Sequence, residues 1–403
     1  MKVIVENLGA VKKAEIDLSK GLLIFTGENN SGKTYLAYAV YAIYTKTILR
    51  LPIENMEVEK LSPEQIFLKY KKELEIAFSE LTRGKLASFF AVNSNFFDNS
   101  DINIEFQKEE TPLQYLRRFE HLATFRKRFD CENIIIFPSM REGIVLFNKE
   151  LSIIKNKTFD KILEDEENEY NDGDKEMWLS LKKRFNRYPQ PVKDSLEFAQ
   201  NLDVYKQEKS EFAYLADELE DTFLDGKIKI GDDGDVNFKM NGSREAFEIH
   251  TASSTVKSLS YLSVYLRHIA KKGDFIIIDE PELNLHPDNQ RKLARFFGRL
   301  INEDFKLLIS THSDYIVREL NNLIMLKEGI NNKPKETKAL LKKHDYEKTQ
   351  LIDKEQVGVY LFRKGKEVEN IKVEETGFSV PTIDEEIAKL NQTTSDILNT
   401  VFD

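Results

Sequence analysis

The chain has 403 residues, 41% of them apolar, and a formal charge of −10, which is enough material for about two to three domains with a sizeable core. The acidic balance excludes a protein that coats nucleic acid over its whole surface, because that affinity comes from Lys and Arg set against phosphates. A single cysteine, Cys131, excludes an internal disulfide and a CxxC metal hook. With no run of about eighteen uncharged apolar residues, and charges mixed into MKVIVENLGAVKK, the expectation is a cytoplasmic protein with no membrane contact.

Residues 1–26 alternate apolar and polar positions (Val3, Val5; Ile16, Leu18) and reach the apolar run Leu22 to Phe25, a pattern of short strands feeding a buried one. The loop GENNSGKT follows, and from Tyr35 the stretch YLAYAVYAIYTKTILR lacks Gly and Pro and reads as a helix. Residues 55–130 read mostly helical, too often interrupted to sustain long coiled-coil arms. ENIIIFPSMREG brings back a β-branched run, Ile134 to Ile136, as a strand rejoining a sheet core would. EDEENEYNDGDKE (Glu164 to Glu176) reads as an exposed acidic loop, not a metal site. KIKIGDDGDVNFKM (Lys227 to Met240) reads as a hairpin.

A Ser/Thr cluster, a helix, the strand Phe275 to Ile278, a helix through Leu300 and the strand Leu307 to Ser310 come next. Strands alternating with helices predict an α/β fold with a mostly parallel sheet and flanking helices. The last seventy residues predict a further strand pair and a helix from Ile383. Two basic patches (Arg117, Arg118, Arg126, Lys127, Arg128; Lys182, Lys183, Arg184, Arg187) read first as solvated faces of amphipathic helices, with DNA contact as the alternative.

Gly27 to Thr34 fits G-x-x-x-x-G-K-[ST] between a strand and a helix. Gly27, Asn29, Asn30, Ser31 and Gly32 bring backbone amides toward phosphate oxygens at a positive helix end, Lys33 reaches the β and γ phosphates, and the Thr34 hydroxyl ligates Mg²⁺. FIIIDE ends a buried strand in two acids, where Asp279 serves the Mg²⁺ shell and Glu280 orients or deprotonates a water. His312 in LLISTHSDYI stands at the tip of a second apolar strand, within reach of a γ phosphate if the two strands are neighbours. ATP and Mg²⁺ are the expected ligands, and ATP hydrolysis the expected reaction.

The ordered set GENNSGKT, IIIDEPELNLHP and STHSDY resembles the ABC-class ATPases of the SMC-like, AAA15 type, in which these parts are Walker A, Walker B with its D-loop, and the switch histidine. The resemblance implies a P-loop ATPase head with a parallel sheet, flanking helices and an antiparallel β subdomain. It also implies a signature element at a helix start that contacts nucleotide held by a partner subunit. HTASSTVKSLSYL is the candidate, with Ser253 and Ser254 where transporters carry glycines. The implied organisation is an ATPase domain over 1–50 and 226–330, a mainly helical insertion over 51–225 with a core-rejoining strand near 132–140, and a C-terminal β/α extension over 331–403. No glutamine-loop residue is assigned; Ser139 and Arg141 stand where relatives often carry a proline and an arginine.

Shared ATP sites imply a homodimer or higher homo-oligomer. Three settings fit. THSDYIVRELNNLIML and the compact helical insertion resemble the ATPase subunits of PARIS-type anti-phage defence systems, in which the ATPase holds or releases a separate toxic effector, often a nuclease; this is the leading expectation. The alternatives are an SMC-like DNA-repair or DNA-tethering ATPase, without long arms or a zinc hook, and an OLD-like ATPase partner of a nuclease, although no D-x-D follows Asp279.

Overall fold

Lys2–Leu8 (β1) and Val11–Asp17 (β2) form an antiparallel hairpin whose alternate residues Val3, Val5, Ala14 and Ile16 are buried, the two-residue period of a sheet with one covered face. The computed structural model describes residues 2–44, 86–93, 95–105, 134–146, 187–232 and 234–402. The acidic loop, Cys131, most of 55–130 and both basic patches except Arg187 lie outside these. One described part of that helical reading is a strand instead: Asp101–Glu105 (β4) pairs antiparallel with β1. Its DINIE alternation buries Ile102 and Ile104, a local signal that the surrounding helix-rich composition obscured.

The central sheet is built from Leu22–Gly27 (β3), Ile134–Phe137 (β5), Phe275–Asp279 (β9), Lys306–Thr311 (β10), Val357–Phe362 (β11) and Glu369–Ile371 (β12). Their order is β12-β11-β3-β10-β9-β5. All pairings are parallel except β11 with β12. The run Ile134 to Ile136 therefore does rejoin the core, beside β9, and the strand pair of the last seventy residues belongs to the same sheet, with β11 paired along β3.

Near-continuous apolar strands follow from having both faces covered. Leu22, Ile24, Ile276, Ile278, Leu307 and Ile309 face one side, packed against helices Ser254–His268 (α5), Pro287–Asn302 (α6) and Asp314–Asn332 (α7). Leu23, Phe25, Ile277, Leu308 and Tyr360 face the other, covered by helix Lys33–Tyr44 (α1) and the small sheet of β1, β2 and β4. Helices Gln190–Gln200 (α2), Leu202–Tyr205 (α3) and Ala213–Phe223 (α4) precede a second antiparallel sheet of Gly226–Ile230 (β6), Val236–Met240 (β7) and Phe247–Glu248 (β8). Helix Pro334–Lys343 (α8) follows α7, and Pro381–Val401 (α9) comes last, from two residues before the expected Ile383. Among the described residues no helix is long and apolar enough to cross a membrane.

Candidate functional site

Parallel register brings the C-terminal ends of β3, β9, β10 and β11 to one edge, where Phe362 lies opposite Gly27 and Ser310 opposite Asp279. This is the edge at which α/β sheets hold ligands. Gly27 takes φ +122°, and a Cβ on it would stand 2.0 Å from the Phe362 carbonyl oxygen. Its glycine is thus demanded first by the crowding of β11, and only then by the turn. Asn30 (φ +58°) and Gly32 (φ +100°) complete the curl of the loop. The first bond of α1, Leu36 N–H to Gly32 O at 3.0 Å, leaves the preceding amides at the open helix end, where an anion is favoured.

Lys33 is buried and its Nζ donates to the carbonyls of Glu28 (2.7 Å) and Gly27 (3.2 Å). Burial lowers its pKa to about 8, against the opposing pull of Glu280, Asp279, Glu282 and Glu28. Thr34 Oγ1 lies 3.1 and 3.3 Å from the two carboxylate oxygens of Asp279, so the hydroxyl and the acid named from sequence are neighbours. Among the described residues no cluster of three or more His, Cys, Asp or Glu side chains could hold a metal. Mg²⁺ in a phosphoryl-transfer site does not need one, since one or two protein oxygens and the phosphates suffice. The donor pair Thr34 and Asp279 fits that requirement.

Ser310 was not singled out from sequence. Its Oγ donates to Asp279 Oδ1 and accepts from the Glu280 amide at 3.0 Å, which ties the two acids to the neighbouring strand. Glu280 adopts φ +50°, a conformation that costs a side-chain-bearing residue roughly 1 to 3 kcal/mol and is common at functional sites. Its carboxyl is pushed above the usual range by burial and by Asp279, with Lys33 and Arg141 pulling the other way.

His312 follows β10, with Nε2 3.9 Å from Glu280 Oε1. Burial, reinforced by Lys33, lowers its pKa to about 4, so at neutral pH the imidazole is neutral and the two side chains do not form an ion pair. Its backbone N–H donates to Glu282 Oε1 at 2.6 Å. Glu282, also passed over in the sequence, is raised by its burial.

Ser253 and Ser254 are exposed at the start of α5, and Ser253 caps that helix by accepting from the Val256 amide at 3.4 Å. Thr255 Oγ1 donates to the Asn284 carbonyl at 3.4 Å, which links this helix start to the segment after the acids. A cleft of about 640 Å³ opens beside the loop, between Gly27, Glu28, Asn29, His312 and the first turns of α9.

A glycine loop on a buried strand, two acids at the end of a parallel strand and a histidine just past the strand between them form one site. Residues 1–317 match the family model described as AAA ATPase domain, AAA_15. The chain belongs to this AAA ATPase domain family. No curated protein matches it. Among solved structures, the AAA_15 chain is similar to the Smc head domain with an extended coiled coil, bound to the C-terminal domain of ScpA, from Pyrococcus furiosus: 14% identity, TM-score 0.39, covering 98% of this chain and 98% of that one. It is also similar to the SMC head domain from Thermotoga maritima, at 11% identity and TM-score 0.37, covering 93% of this chain and 98% of that one.

Proposed function

We propose that this AAA_15 chain binds and hydrolyses ATP at the Gly27–Thr34 loop, and that two copies complete each site, so that nucleotide controls their association. The observation that carries the reading is a division within the chain. Lys33, Thr34, Asp279, Glu280 and His312 converge at one sheet edge, whereas Ser253 and Ser254 stand exposed at a separate helix start. A helix N-terminus that presents hydroxyls and free amides outward suits a phosphate held by another copy.

In this reading Lys33 leaves the Gly27 and Glu28 carbonyls to bind the β and γ phosphates. Thr34 and Asp279 hold Mg²⁺, which would supply charge neutralisation on the phosphate oxygens. Glu280 orients the attacking water and accepts its proton, a role favoured by a raised carboxyl pKa. Neutral His312 donates a hydrogen bond to the γ phosphate. Loss of that phosphate weakens the shared interface, which makes hydrolysis a release signal.

For the setting, membership of the AAA ATPase domain family supports an ATPase head, the part that an SMC-like DNA-associated ATPase shares with this chain. The defence reading needs a separate toxic effector as well, and it rests on the likeness of the compact helical insertion, most of which lies outside the described residues, and of residues 311–326. That stretch has a structural cause of its own: Ile316, Leu320, Leu323 and Ile324 are buried, and Glu319 binds Arg291 and Arg295 at 2.9 and 2.6 Å. We therefore place the SMC-like reading first.

The test is turnover together with solution mass for the full chain, with and without ATP and Mg²⁺. Glu280→Gln is expected to lose about 10²- to 10⁴-fold in turnover and to accumulate as an ATP-bound dimer. Unchanged turnover in Glu280→Gln would remove Glu280 from the chemistry, and a monomer under every condition would remove the shared site.

A further inference from the structure

The strand β5 ends beside β9, and the turn after it, residues 138–140, leads into a helical turn over 141–146. Arg141 opens that turn, with its backbone N–H donating to the Pro138 carbonyl at 3.1 Å. The side chain is buried, at 4% exposed, yet carries a charge. A buried guanidinium is costly unless its donors are used, and here two of them are. Nη1 donates to the Asp279 carbonyl and Nη2 to the Glu280 carbonyl, each at 2.9 Å.

These two consecutive carbonyls flank the point where the backbone leaves the extended strand and turns to φ +50° at Glu280. From the other side, the Ser310 carbonyl and hydroxyl both accept from the Glu280 amide, at 3.1 and 3.0 Å. The peptide before Glu280 and the one after it are held by fixed partners, so the left-handed turn is over-determined and the carboxylate it carries has one direction.

We infer that Arg141 is a positioning residue for Glu280: its forked guanidinium locks the Asp279 and Glu280 carbonyls, and this aims the Glu280 carboxylate toward His312 and Lys33. The inference rests on the proposed role of Glu280 in hydrolysis and adds the residue that sets its geometry. Lysine cannot replace it, since a single ammonium on a flexible stem does not reproduce two parallel donors in a rigid plane.

The experiment compares Arg141→Lys and Arg141→Met with the parent chain in single-turnover ATP cleavage and ATP affinity. A displacement of the reacting group by about an ångström costs on the order of 10²-fold in rate, and that loss is expected in kcat for both variants. ATP affinity should stay within about twofold, because the Arg141 donors go to Asp279 and Glu280 and not to the phosphate loop.

Full kcat in Arg141→Lys, or parallel losses of kcat and affinity in both variants, would overturn the assignment. If Arg141→Met does not fold, Arg141→Lys carries the test on rate and affinity. Turnover that survives Glu280→Gln would sink the role of Glu280 itself; turnover lost in Glu280→Gln but kept in Arg141→Lys would sink only the clamp.

Discussion

His312 Nε2 lies 3.9 Å from Glu280 Oε1, with the histidine held neutral by its burial and by Lys33. The folded-state pKa of about 4 lies below the ordinary 6.5. The unfolded chain therefore binds a proton that the folded chain refuses, and stability from this source is lost as pH falls from about 6.5 to 4. The melting temperature of the parent chain should drop more steeply across that window than that of His312→Gln. Equal slopes would show that His312 titrates normally in the folded protein.

Lys33 offers a second window. Its pKa of about 8 means that the free protein loses the ammonium as pH rises past 8, and a bound triphosphate must draw the proton back. Affinity for ATP should weaken by about twofold from pH 7 to 8 and then by up to about tenfold per unit, with proton uptake on binding. Lys33→Arg, which stays charged throughout, should flatten the curve. A parent affinity constant across pH 7 to 9.5 would contradict the buried-lysine account.

Gly27 tests how the sheet limits the loop. Alanine there meets the Phe362 carbonyl at 2.0 Å in a backbone conformation that side chains avoid, whereas Gly242 (φ +79°) has open space around it. Overpacking and backbone strain together should cost Gly27→Ala about 3 kcal/mol or more, and Gly242→Ala about 1 kcal/mol. Chemical denaturation of the two variants measures the difference. Equal stabilities would mean that β11 does not press on the loop.

Much of this was legible in the sequence for a physical reason. The loop, the strands around Leu22, Phe275 and Leu307, and the hairpin at Lys227 carry local periodicity and turn chemistry, so residue patterns alone located them. Alternation of strands and helices points to the strands at Phe275 and Leu307 lying side by side, as they do. Other features arise only from long-range register. Nothing local in VGVYLF announces that it borders β3 and dictates Gly27. Ser310 and Glu282 look like ordinary polar residues, and Arg141, noted only for its likeness to relatives, has no role, until the sheet order sets Ser310 across from Asp279 and Arg141 behind the Glu280 carbonyl. The strand at Asp101–Glu105 was missed because a five-residue alternation is weak against a helix-rich neighbourhood.

The shared site is the central claim, and a mixing measurement tests it most directly. Lys33→Ala removes the phosphate lysine from one copy, and Ser253→Ala with Ser254→Ala removes the hydroxyls from the other. Each preparation alone should be inactive in ATP cleavage, the first through lost binding and the second through an incomplete partner surface. Combined in equal amounts, they can form one intact pocket per mixed pair, and cleavage should return to a substantial fraction of the parent rate. No recovery on mixing, with the serine variant cleaving ATP as a monomer at the parent rate, would contradict the account.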